Sequence, residues 1–440
     1  MDVLAINQFT QISLILILAA FAIPISRKIA VADIPILIFL GMFFGPVLGI
    51  IHDQFASSFL TQFANVGIGL LGVMIILYYE SHYMNFRIIR RHLLRIISLD
   101  TLGVILTALV GGALFSLIFG APISIGFLFG AIISPTDPAT LIPMFKRINI
   151  KDDISGTLIG ESLFNDPIGI ILVSVAILFI DPTSSYISGF SGLVNSVGVI
   201  GGAIAFFIIQ VSIPAFIGII VGFSVIILNR FLNFENLIIG LLLGIVILEF
   251  TALEAAGLTP FPAIIATGAI VGNFSDKSIF WNREANFQEN LSFLSQAIIF
   301  LALGSMLTRL QLSEYALVGI AMTILVILVA RPIAVLGSLL PLFRKNKRTL
   351  DLKTITFFSM VGPRGVVSVV MATVPYAVGI SSNPQNAELV KYGPTIAVVV
   401  SFIVLFSIVL QTIYVPYISK RLFAHPVAQN SENHLPENNQ

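Results

Sequence analysis

Two aspartates stand where a membrane-embedded chain would least tolerate them. Asp137 lies between two prolines in Ser134-Pro135-Thr136-Asp137-Pro138. Asp166 closes Gly160-Glu161-Ser162-Leu163-Phe164-Asn165-Asp166-Pro167. Both sit inside long apolar stretches, where a carboxylate costs on the order of 3 kcal/mol and is retained for function. Pro138 has no N–H and Pro135 disfavours helix at Ser134, so helix hydrogen bonds are lost there. The carbonyls freed by that break, with the Thr136 hydroxyl, could face a hard cation, which takes oxygen ligands. A structural alternative is that Asp137 caps the helix half beginning at Pro138. In the second segment Ser162 and Asp166 are four residues apart and share a helix face, offering a hydroxyl and a carboxylate. Glu161 and Asn165 share the adjacent face. Arg331 and Arg364 are the only cations expected deep in apolar segments. A lone buried arginine or glutamate would be very costly, so Glu161 is expected to pair with Arg331.

Such residues suit an exchange reaction. A carboxylate that takes either a proton or a small cation, but not both, makes the two compete at one site. With alternating access, that competition yields obligatory exchange of Na+ (or Li+) for H+, and Asp137 and Asp166 are the expected binding groups. Two carboxylates carry the same charge with one Na+ as with one H+, so one-for-one exchange moves no net charge. A second proton carrier would need another titratable group. All nine Lys fall in loops or at span ends, and Arg331 stays protonated. Glu249 and Glu254 are the remaining candidates for a second carrier.

Composition says what positions these residues. Of 440 residues 57% are hydrophobic and 10% charged, far below the roughly 25% charged of soluble domains. Lipid must be the main solvent, because a soluble fold would expose very large apolar patches. A net charge of +1 gives no basic stripe for nucleic acid, and no Walker-type loop indicates a nucleotide. There is no Cys, which removes disulfide, thiolate and Cys-ligated metal chemistry. No cofactor is expected beyond the transported Na+ and H+.

About 20 apolar residues cross the hydrocarbon layer as a helix. Cutting at polar clusters gives thirteen spans near 9–26, 33–51, 59–79, 98–119, 122–145, 154–180, 203–229, 236–254, 258–273, 291–309, 314–342, 354–377 and 394–417. A Gly/Ser-rich stretch at 186–202 reads as a short interfacial helix or an extra span. With the N-terminus outside, the inner loops and span ends hold 19 of the 23 Lys and Arg, leaving Arg309 and Lys391 outside and Arg331 and Arg364 within spans. That asymmetry places the C-terminus in the cytoplasm. Residues 1–423 are expected to form one membrane domain, and 424–440 a short disordered tail. Helix breakers fall in spans 5 and 12 (Gly362-Pro363-Arg364-Gly365). The expected all-α fold thus holds two inverted six-helix repeats, about 9–180 and 236–417, joined by a linker helix at about 203–229, with discontinuous spans 5 and 12 crossing at the midplane.

At these residues the chain resembles sodium/proton antiporters of the NhaP and NHE type, in the monovalent cation:proton antiporter superfamily. The resemblance runs from the DIP at 33–35 to the last span. It is most specific at TDPAT (136–140), GESLFNDP (160–167), ARP (330–332) and GPRGVVS (362–368). It implies that Asp137, Asp166, Ser162 and Thr136 bind the ion, that Asn165 holds Asp166, and that Glu161 pairs with Arg331. The Asn165-Asp166 pair resembles the signature of the electroneutral branch. Glu254, in EAAG, and Glu80, opening ESHYMN, sit where the family carries glutamates; most acids of the family's segment after Glu80 are absent here. Arg364 belongs to the GPRG segment that supports the site. The family implies a plasma-membrane homodimer, with spans 1 and 10 at the contact.

Other classes fit less well. A K+/H+ antiporter is the nearest alternative. A cation channel needs rings of ligands about a symmetric pore, whereas these charges cluster on spans 5, 6 and 11. An intramembrane serine protease could use Gly189-Phe190-Ser191-Gly192, but no span offers the histidine base. An aspartyl protease needs a peptide-sized cleft, and both aspartates are followed by proline. No enzymatic activity is expected.

Overall fold

Broken and continuous helices together build the chain. A computed structural model describes residues 3–29, 33–52, 68–148, 150–181, 190–275, 279–345, 351–382 and 384–423. Among them there is no strand. The helices are α1 Val3–Ile29, α2 Asp33–Met42, α3 Ile68–His82, α4 Phe86–Ser98, α5 Val104–Phe119, α6 Ile123–Ile132, α7 Pro138–Ile148 and α8 Asp152–Ile180. There follow α9 Phe190–Leu232, α10 Ile238–Ala255, α11 Phe261–Phe274, α12 Ile279–Met306, α13 Arg309–Leu325, α14 Arg331–Lys345, α15 Leu352–Met360, α16 Val366–Ser381 and α17 Ala387–Phe423. Short π-turns extend α2 over Phe43–Val47 and join α4 to α5 and α13 to α14.

Seven of the described helical runs are long and apolar enough to cross a membrane, and several shorter apolar helices accompany them. A helix or a pair of half-helices lies at every expected span. Their ends differ most from expectation in three places. The segment of span 4 begins at Phe86, not 98, so Arg87, Arg90, Arg91 and Arg95 lie on a helix and not in a loop. The segment of span 10 begins at Ile279, twelve residues early. In both, a polar sequence continues an apolar helix beyond the hydrocarbon, which a count of apolar residues cannot detect. The linker segment runs from Phe190, with a non-helical Gly198 at φ 77° separating a short first piece from the long helix. Residues 59–67, 182–189, Lys277, Lys347, Arg348 and the expected tail 424–440 lie outside the described residues.

The breaks fall where the sequence dictates. Between α6 and α7 the chain runs extended through Pro135, and between α15 and α16 it runs extended through Gly362 and Pro363. The α7 half starts on Pro138, whose ring suits a first helical position. Both broken pairs lie in the buried interior, beside α8, which hides most of its surface; α9 leaves most of its own exposed. Such outward faces, carrying Ile208, Phe216, Ile220, Phe223 and Ile227, suit lipid contact.

The α5–α6 hairpin sets how closely the first broken helix approaches its neighbour. A Cβ at Gly130 would lie 2.7 Å from the carbonyl carbon and 2.8 Å from the Cα of Ala108. No side chain fits there without separating the helices. Phe115 and Phe129 stack across the same seam with centroids 4.3 Å apart. Gly130→Val is therefore expected to cost about 1–3 kcal/mol through overpacking, read as a lower melting temperature in detergent. Gly240→Val, which meets nothing within 4 Å, should not lower it; equal losses would show that close helix approach is not the cause.

Candidate functional site at the crossing of two broken helices

The two breaks touch. The Asp137 backbone N–H donates to the Pro363 carbonyl across 2.9 Å. Gly365 faces the Asp137 side chain, and a Cβ there would lie 2.5 Å from Asp137 Cγ, so the crossing admits only glycine.

Asp137 is the N-cap of α7. Its Oδ2 accepts the Thr140 N–H at 2.9 Å and also the Thr140 hydroxyl. The capping alternative is thus realised, and the same carboxylate still lines a cavity with Asp166. This cavity is about 10 Å³ and is bordered by Glu80, Thr136, Asp137, Asp166 and Ser368, with apolar neighbours including Val73 and Leu77. That volume holds about one water-sized particle. Its oxygens are hard donors of the kind an alkali cation takes. Among the described residues no group of three or more His, Cys, Asp or Glu is arranged to hold a resident metal.

Three of the four expected ligands, Thr136, Asp137 and Asp166, line this cavity. Ser162 does not line it, and stands one hydrogen bond behind, its Oγ 2.8 Å from Thr136 Oγ1. Asn165 is the clearest departure from expectation. Its Oδ1 accepts the Thr136 N–H at 3.1 Å and its Nδ2 donates to Thr136 Oγ1 at 2.8 Å. Asn165 therefore fixes the unwound segment and not Asp166. The reason is local: a backbone N–H freed from helix needs an acceptor, and a side-chain amide supplies acceptor and donor together.

Glu161 and Arg331 pair as expected. Both guanidinium ends donate to the carboxylate, with Nη2 to Oε2 at 2.9 Å. Arg331 does more: its Nε donates to the carbonyls of Phe358 and Val361 at 3.2 and 3.0 Å. These are the loose carbonyls where α15 ends. Arg364 does the same for the other pair, its Nη1 donating to the carbonyls of Ser134 and Pro135 at 2.6 and 3.1 Å, just past α6. The C-terminal ends of α6 and α15 thus each meet an arginine, which donates to carbonyls at the break and faces the negative end of the helix dipole.

Glu80 faces the small cavity, buried, with neither carboxylate oxygen hydrogen-bonded among the described residues. It also lines a second cavity of about 500 Å³ together with Tyr79, Tyr83, Asp152 and Glu289. Glu254 is not brought to the site. It is exposed in the last turn of α10 and borders neither cavity, because α10 packs on α9, α11 and α12 with that turn at the surface. Glu249 also lies off both cavities, and its two oxygens accept the Thr267 hydroxyl at 3.1 and 2.9 Å.

Three buried groups had no assigned role in the sequence. Ser368 was within a quoted motif, and Thr140 followed Asp137 in another. Glu284, fully buried, accepts the Tyr78 hydroxyl at 3.3 Å and lies 4.0 Å from His82 Nδ1. Its signal was periodicity: Trp281, Glu284, Gln288 and Ser292 share one inward face of α12.

An all-helical membrane domain with an ion-sized, oxygen-lined cavity between two crossed, broken helices defines an ion-transporter class of fold. Residues 14–421 match the family described as "Sodium/hydrogen exchanger, transmembrane", and the chain belongs to that family. It is 29% identical over 430 residues to Na(+)/H(+) antiporter 1 of Methanocaldococcus jannaschii, covering 93% of this chain and 95% of the other. It is 31% identical over 369 residues to the probable Na(+)/H(+) antiporter 2 of the same organism, with 80% of each covered. To the K(+)/H(+) antiporter NhaP2 of Shewanella sp. (strain MR-4) it is 27% identical, spanning 62% of that protein. The structure of the sodium proton antiporter MjNhaP1 from M. jannaschii at pH 8 superposes with a TM-score of 0.82 at 26% identity, covering 96% of this chain and all of that one.

The buried ion pair is testable apart from transport. Glu161→Ala strands a buried charge and should cost about 3–5 kcal/mol. Glu161→Leu combined with Arg331→Met should recover part of this but not the two carbonyl contacts at Phe358 and Val361. Thermal unfolding of the three proteins checks the order; a wild-type melting curve for Glu161→Ala would contradict the assignment.

Proposed function

We propose that this protein is a secondary active transporter that exchanges Na+ (or Li+) for H+ by alternating access, one for one and without net charge movement. The observation that carries the reading is the pair Asp137 and Asp166 about one ion-sized cavity, at a crossing that also holds Thr136. Asp166 accepts no hydrogen bond from the described residues, so its oxygens are available to a proton or a cation. Asp137 offers the oxygen not committed to capping. Thr136, held by Asn165 and backed by Ser162, presents an oriented hydroxyl. Glu161 and Arg331 fix α8 against the end of α15, and Arg364 fixes the end of α6. Glu80, facing both cavities, is a stepping place for the cation between the larger cavity and the small one.

The electroneutral count is supported by the absence of lysine from the cavity at the crossing among the described residues, and by the position of Glu249 and Glu254 outside both cavities. We take the relatives bearing Na+/H+ names as the guide to the cation, because they cover most of this chain and of themselves. The K+/H+ relatives keep K+ as the second reading. The same reading makes the protein a homodimer of the plasma membrane, with an outside N-terminus, a cytoplasmic C-terminus and two inverted repeats.

Purified protein in liposomes with a luminal pH dye tests this directly. An inward Na+ gradient should make the lumen alkaline at a rate unaffected by a K+/valinomycin clamp, and Asp166→Asn should fall to the level of empty liposomes. Full-rate exchange in Asp166→Asn would overturn the site, a voltage-dependent rate would overturn the one-for-one count, and stronger response to K+ than to Na+ would reverse the choice of cation.

A further inference from the structure

The helix α4 is not explained by the ion site. It runs without interruption into α5, and the whole stretch Phe86–Phe119 has 34 residues. At 1.5 Å per residue that is about 51 Å, against a hydrocarbon layer of about 30 Å. The α5 end and the π-turn fill the hydrocarbon, so α4 stands in the headgroup region.

Its surface divides into three sectors. Ile89, His92 and Ile96 are buried, with Ile96 Cδ1 and Ile89 Cγ1 within 2.7 and 3.8 Å of a Cβ position at Gly160 on α8. Arg87, Arg90 and Arg91 are exposed and Arg95 is partly so. Leu93 and Ile97, exposed at 42% and 47%, stand between these two sectors, and Leu94, exposed at 73%, projects among the arginines themselves. The apolar sector does not stop at the end of α4, since Leu102, Ile105 and Leu109 continue it down the span. A cationic end above an apolar stripe on one continuous helix matches a molecule with an anionic head and long acyl chains.

Little on the protein neutralises the cations. Arg91 reaches Asp153 at 3.5 Å, an exposed pair that Asp153 shares with His92 at 3.0 Å. Arg87 and Arg90 make no ion pair among the described residues. A rule of topology accounts for the sign of these charges, but not for their place beside an outward apolar sector.

We propose that α4 and the stripe below it form a binding site for an anionic phospholipid, its phosphate on Arg87, Arg90 and Arg91 and its acyl chains along Leu94, Ile97, Leu102 and Ile105. The occupied site presses on α8, which α4 meets at Gly156 and Gly160. Given the proposed exchange reaction, the lipid thereby acts on the helix that carries Glu161, Asn165 and Asp166.

Binding is read without transport, so failure of the exchange reading leaves this test intact. Purified full-length protein in an uncharged detergent is titrated with phosphatidylglycerol, phosphatidylcholine or inorganic phosphate, following the melting temperature. Phosphatidylglycerol alone should raise it, as a ligand selective for the native state does. Arg87→Gln with Arg90→Gln should shift the phosphatidylglycerol midpoint upward by about thirtyfold, each arginine contributing a factor of about five. Arg87→Lys with Arg90→Lys, keeping the charge, should stay near wild type and reports on folding of the altered helix; Arg230→Gln, a surface cation elsewhere, should not shift the midpoint. Wild-type phosphatidylglycerol binding by the double glutamine variant, equal stabilisation by phosphatidylcholine, or equal stabilisation by free phosphate would each overturn the proposal.

Discussion

Backbone that leaves the helix inside a membrane must find its hydrogen bonds in protein, and this constraint organises the molecule. Two chain breaks meet at the centre, and each exposes carbonyls at the end of one half-helix and N–H groups at the start of another. Arg331 and Arg364 meet the carbonyls, Asp137 meets the N–H groups of α7, and Asn165 meets the N–H of Thr136. These side chains are polar because the backbone requires it, and their presence makes an apolar interior hospitable to an ion. Structure and binding are therefore not separable at Asp137. One carboxylate oxygen ends a helix, and the other belongs to the cavity.

Charges that look excessive in the sequence resolve into pairs with distinct work. Glu161 balances Arg331, leaving Asp137, Asp166 and Glu80, unpaired among the described residues, as the carboxylates that line the cavity. Arg364 keeps two guanidinium nitrogens, Nε and Nη2, without a partner among the described residues, so its full charge bears on the crossing.

Much of this was legible in the sequence, for physical reasons that differ by residue. The breaks were legible because proline and glycine alter backbone chemistry wherever they stand. The Glu161–Arg331 pair was legible because neither charge can be buried alone. That Asn165 holds Asp166 was implied only by resemblance, and in this chain its amide turns to Thr136; its four-residue spacing from Glu161 placed its face correctly, but its partner lies on another segment. Glu254 was offered because it sits where the family carries a glutamate, and such a match reads alike whether the last turn of the helix is covered or, as here, open. The arginines of α4 were assigned to a loop, and Glu284 to no role, because apolar length measures the membrane and not the helix. A helix that continues into polar surroundings is recorded only in its periodicity, as in Trp281, Glu284, Gln288 and Ser292.

The hydrogen bond from Asp137 to Pro363 has a mechanical meaning. It joins two segments more than two hundred positions apart by main-chain atoms, which no side-chain substitution removes, and Gly365 closes the gap so tightly that the segments cannot slide. Displacing either break would therefore pull on the other, so the two are joined as one unit. In the proposed exchange, opening to one side of the membrane or the other would come from movement of that unit against the helices around it. Glu80 of α3, which touches both cavities from outside the crossing, stands on the surface where that relative movement would be felt.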